Sequence, residues 1–153
     1  MFSKPAGTLF ACLFTLAALP AAAAPSADDA CSLLTQAQVS AVVGAQVGAG
    51  SWVSPSFKRT CTWSLPGTVI VTVMTEGVNV FNVGKNTPTP AFKVTPATGV
   101  ADDAYYVITG GTMVSLMTKK GNVAFKTSVY SQLPLEKLMS LEKALAQLVA
   151  SEL

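Results

Sequence analysis

The sequence predicts an α+β domain: a mainly antiparallel sheet of about six strands, packed by an N-terminal and a C-terminal helix and holding one disulfide. Three observations lead there. Apolar residues recur at helical spacing near both ends, and the stretch between them alternates β-branched runs with turns rich in Gly, Pro and Asn. Two cysteines follow a leader of the export type.

That leader, residues 1–23, stands outside the domain. Lys4 precedes an uncharged apolar run ending at Leu19, followed by Pro20 and an alanine tract, the three-part pattern of a secretory signal. The run is about 11 residues long, well short of the roughly 20 that span a bilayer. Ala21-Ala22-Ala23 is the expected recognition triplet, with cleavage between Ala23 and Ala24 and a single domain over residues 24–153. The product is expected in the periplasm or fully secreted. Cys12 follows Phe10-Ala11, where a bulky ring replaces the small residue that a lipoprotein signal requires, so no lipid anchor is expected.

Of the 153 residues 12% are charged, with 10 basic against 8 acidic side chains. That is about half the usual charged share, with no basic excess for nucleic acid. Loss of Lys4 brings the basic residues to within one of the acidic ones. Electrostatics then favour no partner. Histidine is absent. Its absence removes His-based triads, His metal ligands and the usual pH switch, and no metal or cofactor is expected.

Cys31 and Cys61 form an even pair in a chain addressed to an oxidising compartment, which predicts a disulfide. Its loop of about 30 residues removes unfolded-state entropy equivalent to roughly 3.5 kcal/mol. A redox pair or metal site lacks the spacing.

Along the domain, Thr35 and Gln38 form a capping box before Val39, Val42 and Val43, with Gly44 as the stop, predicting a helix over 36–43. β-branched runs follow at 47–53, 60–65 and 68–74, the last two separated by Pro66-Gly67 as a hairpin signal. Residues 75–99, interrupted by Pro88, Pro90 and Pro96, read as a long loop with at most a short amphipathic turn around 78–83. Strands resume at 104–109, 112–119 and 123–130, joined by Gly110-Gly111 and Lys120-Gly121-Asn122. Pro134 opens a closing helix to Leu153, with Leu138, Leu141, Leu145 and Leu148 or Val149 facing the sheet.

Asp29-Ala30-Cys31-Ser32-Leu33-Leu34-Thr35, Cys61-Thr62-Trp63, an Ala-Asp-Asp-Ala-Tyr stretch and the Leu-rich final helix together resemble an uncharacterised family of small secreted actinobacterial proteins and lipoproteins. The resemblance implies a small α+β envelope domain whose relatives are sometimes sensory or ligand-binding, some approaching a PsbP-like architecture. It carries over no catalytic residue.

Long loops in compact domains are commonly functional, so Glu76, Asn79, Asn82, Lys85 and Asn86 are candidate contacts. Asp102, Asp103, Tyr105 and Tyr106 form the densest polar and aromatic cluster. Neighbours on a strand point to opposite faces, so the two aspartates read as a solvated lead into a strand rather than paired catalytic acids. The other acids, Asp28, Asp29, Glu76, Glu136, Glu142 and Glu152, are scattered, several of them on outer helix faces. Trp63 reads as core beside the disulfide, while Trp52 and Tyr130 are candidates for exposure. Ser115 and Lys119 lie about 13 Å apart along a strand, too far for a dyad. The expected function is a non-enzymatic exported binding module for a small ligand or envelope component. The alternative is a protein-interaction factor, such as an inhibitor or immunity protein for an envelope hydrolase. A hydrolase built on Asp102 or Asp103 ranks last.

Overall fold

The computed structural model describes residues 26–66 and 70–153. The leader, its cleavage site and the Gly67 half of the Pro66-Gly67 turn lie outside the described residues. A short 3-10 turn, Ala30–Ser32, opens the fold and holds Cys31. Helix α1, Gln36–Val43, has both halves of its capping box: Thr35 Oγ1 accepts from the Gln38 N–H, and Gln38 Oε1 accepts from the Thr35 N–H. Gly44 ends it at φ 74°, a conformation that glycine adopts without Cβ strain.

The strand expected over 47–53 is shorter: β1 is Ser51–Ser54. Side chains of α1 have taken the backbone groups that a longer strand would need. Gln36 Nε2 donates to the Val47 carbonyl, and the Val47 N–H donates to Ser40 Oγ. Gly50 then passes so close to Trp63 and Cys61 that a Cβ there would meet the indole at 2.7 Å and the sulfur at 3.0 Å. β2, Phe57–Ser64, returns antiparallel and presents Cys61 and Trp63 to the core. β3, Ile70–Glu76, continues the meander.

Residues 75–99 are not the long loop that their prolines predict. They hold α2, Val78–Asn86, and β4, Phe92–Ala97. Pro88 and Pro90 fall in the short link after α2, so they stop the helix rather than prevent it. Pro96 lies in β4 at the sheet edge, where the outer side has no ladder to lose. β5 is Asp103–Thr109, β6 Met113–Lys120 and β7 Val123–Tyr130. Gly110 and Gly111, both at positive φ, turn the first of these hairpins. The sheet has seven strands rather than about six, all antiparallel to their neighbours, in the order β1-β2-β3-β7-β6-β5-β4. α2 is thus a crossover from the middle of the sheet to its far edge. Three helices, not two, pack on it.

One sheet face is covered by α1 and by α3, Leu135–Glu152. Leu138, Leu141, Leu145 and Val149 of α3 pack there against Trp63, Val71, Leu116, Phe125 and Val129. The other face has a smaller core, in which Phe81 of α2 meets Tyr105, Met117 and Ala124. A bond between Cys31 and Cys61 ties the opening turn to β2. Replacing both cysteines by serine is expected to lower unfolding stability by about 3.5 kcal/mol through the freed unfolded chain, read as an earlier urea midpoint with a somewhat larger m-value, because the uncrosslinked chain exposes more surface.

Candidate functional site

The residues singled out along 75–106 separate into structural pairs and exposed side chains. Asp103 and Lys85 form an ion pair, with Lys85 Nζ donating to the two carboxylate oxygens at 2.8 and 2.6 Å, which clamps the end of α2 to β5. Asp102 does different work: its carboxylate accepts the Gly121 N–H at 2.7 Å and so closes the β6–β7 turn. Asn79, Asn82 and Asn86 are exposed on α2, with Asn86 Nδ2 donating to the Asn82 carbonyl.

Tyr105 and Tyr106, expected among the contact residues, are core side chains on opposite faces of β5. The alternation of a strand sends one ring under α2 and the other under α3. Tyr105 Oη donates to the Phe81 carbonyl, its ring lies 4.9 Å from that of Phe81, and Gly84 leaves room for its hydroxyl. Burial, and then the nearby Glu76 and Asp103 carboxylates, push its pKa up to about 12. Tyr106 Oη donates to the Met139 carbonyl on α3.

A cleft lies elsewhere, at the far end of β6 and β7. The β6–β7 ladder runs from Lys120↔Val123 to Ser115↔Ser128 and stops, although β7 stays paired to β3 as far as Ile70↔Tyr130 and β6 to β5 as far as Thr109↔Met113. The two strands therefore splay over the first residues of β6, Met113 and Val114, and the last of β7, Val129 and Tyr130. Between them opens a cleft of about 460 Å³, with Met113, Val114, Val129, Tyr130 and Leu138 as apolar walls and Thr112, Ser131 and Gln132 as polar lining. Its volume falls within the range of small-molecule sites.

Glu142 stands where the strands part. The helix stripe carries it inward, between Leu138 and Leu145, so it is not among the acids on outer helix faces. It is fully buried, and its Oε1 accepts the Val129 N–H at 3.0 Å while Oε2 has no partner. Burial raises its pKa to about 9 against a smaller lowering by the Val129 hydrogen bond. At neutral pH it is a protonated acid that offers a strand N–H the acceptor β6 no longer supplies. Sequence reasoning missed it because it weighed the charge of the residue above its spacing.

Beside the cleft, the face that α2 leaves uncovered carries an exposed apolar row. Strand register aligns Ile70 with Tyr130 and Phe92 with Thr109, which is paired with Met113. Ile70, Tyr130, Met113 and Phe92 are each exposed by 44 to 53%. Trp52, also exposed, is held by Asp29 through its indole N–H and lies under Lys58. Among the described residues no three His, Cys, Asp or Glu side chains come together as a metal site, and no helix is long and apolar enough to cross a membrane. Comparison with family models, with curated proteins and with solved structures found no match.

Glu142 gives stability a definite pH dependence. The unfolded chain loses this proton near 4.5, whereas the folded chain keeps it until about 9. Rising pH between those values favours the unfolded state by about 1.4 kcal/mol per unit. Thermal melts are expected to fall across that window. Glu142→Gln, which keeps an acceptor for Val129, should flatten the decline; an unchanged slope would show that the acid does not stay protonated.

Proposed function

We propose that this chain is an exported, non-enzymatic binding module and that the cleft between β6, β7 and α3 takes the apolar part of a small ligand or envelope component. The observation that carries this reading is the cleft itself: a half-open, mainly apolar hollow with a short polar stretch, built by a break in the central ladder. Fixed apolar walls with a few polar groups suit an amphiphile whose polar end stays in water. Export rests on the leader pattern, and a disulfide suits the oxidising compartment to which such a leader directs the chain. The engagement of Asp102, Asp103, Tyr105 and Tyr106 in structural bonds supports the reading without catalysis.

A second reading, a protein-interaction factor such as an inhibitor or immunity protein for an envelope hydrolase, is favoured by the exposed row of Ile70, Tyr130, Met113 and Phe92. The two readings separate by experiment. Titration of the mature protein with N-phenyl-1-naphthylamine is expected to give saturable fluorescence enhancement that Met113→Asp abolishes and Phe92→Asp leaves intact. No enhancement, or enhancement indifferent to Met113→Asp, would overturn the cleft reading. Crosslinks to one envelope protein that Ile70→Asp and Phe92→Asp both remove would establish the second.

A further inference from the structure

The cleft between β6, β7 and α3 divides its apolar and polar lining by position. Its apolar walls include Val114, Val129 and Leu138, all buried. Its polar residues lie beyond the strand ends: Thr112 in the β5–β6 turn, and Ser131 and Gln132 just after β7. Thr112 and Gln132 are exposed and Ser131 is half-buried, so all three are open to an incoming molecule. Aspartate, glutamate, lysine and arginine are absent from this lining. A chain that enters between the strands therefore keeps its polar end at a mouth that is polar but uncharged. The volume of about 460 Å³ belongs to the lower part of the range for small-molecule sites, which suits one such chain.

The missing charges restrict what that polar end can be. A carboxylate, phosphate or ammonium drawn to the mouth gives up part of its hydration and meets no countercharge in the lining. Glu142, which accepts the Val129 N–H, supplies none: burial keeps it protonated, so it neither attracts a cation nor repels an anion. The N-terminus of α3, one turn before Leu138, favours negative charge, and Glu136 in that first turn already provides it. What the mouth does offer is two hydroxyls and a carboxamide, groups that both donate and accept hydrogen bonds. Alcohols are groups of the same kind. A headgroup hydroxyl can exchange its bonds to water for bonds to Thr112, Ser131 or Gln132 with little loss, and an analogue without hydroxyls leaves those groups unpaired.

We propose that the cleft takes an uncharged single-chain amphiphile with a hydroxyl-bearing headgroup, a sugar or a glycerol. Its chain lies against Val114, Val129 and Leu138, and its hydroxyls bond Thr112, Ser131 and Gln132. This assignment rests on the cleft being a ligand site. The test is displacement of N-phenyl-1-naphthylamine from the mature protein at pH 7 by octyl glucoside, monooctanoylglycerol, octanoate and octyltrimethylammonium, each below its micelle concentration. At least one of the two neutral compounds is expected to displace the dye at a concentration at least about tenfold lower than either charged one needs. Which of the two does so separates a sugar from a glycerol headgroup. Gln132→Ala and Ser131→Ala, each retaining the wild-type melt, should weaken the neutral compound by about two- to tenfold and leave dye affinity unchanged, because the dye has no hydroxyl. A charged compound that binds as tightly as the neutral ones, or neutral binding indifferent to both variants, would overturn the headgroup assignment and leave the cleft reading standing. Absence of dye binding to the wild type would overturn both.

Discussion

The structure depends on one ladder, the seven-residue antiparallel pairing of β3 with β7. Every other strand pair joins neighbours in sequence and can form from a local hairpin. This one brings Ile70 against Tyr130 and Glu76 against Ala124, closing a long loop of chain whose entropy must be met by packing. The packing is at hand: Val71 and Val73 on β3 and Phe125 and Val129 on β7 share the face that α3 covers. The disulfide secures β2 next to this seam, and α2 exists because the chain must travel from β3 at the centre to β4 at the rim.

The candidate cleft lies at one end of that seam. At one end β7 keeps its bond to β3 but leaves β6, and the Glu142 carboxyl fills the place of a ladder acceptor. At the other end β3 stops at Glu76, and the Thr75 hydroxyl is buried there without a hydrogen-bond partner. Polar groups with no strand partner are where a sheet can meet a ligand, since elsewhere the ladder has used them. Glu142 shows how such a place is kept: an acid that must remain neutral marks the point where secondary structure stops satisfying itself.

Local signals were legible in the sequence, and those set by register were not. Thr35, Gln38 and Gly44 delimit α1 within one turn, and Gly110 and Gly121 have the positive φ that their turns demand. The disulfide and the α+β class followed from cysteine count, compartment and periodicity. α2 is obscured by the prolines behind it, which predict a break through the whole segment but only end the helix. Glu142 sits at the inward spacing of Leu138 and Leu145, a pattern present in the chain but outweighed by the usual exposure of glutamate. The cleft has no linear motif. Met113 and Tyr130 line one cleft because the β6–β7 ladder ends at Ser115↔Ser128.

The rims of the sheet carry a consequence of their own. Any open sheet offers two rows of unpaired backbone groups on which another strand can grow. Here β1 is four residues long and irregular between Trp52 and Ser54, while β4 carries Pro96, which has no N–H to donate, and the charged Lys93. Both borders are therefore poor templates for addition. A chain that displays apolar side chains across one sheet face thus keeps its backbone closed to its own copies, and it can gather at high local concentration without polymerising edge to edge.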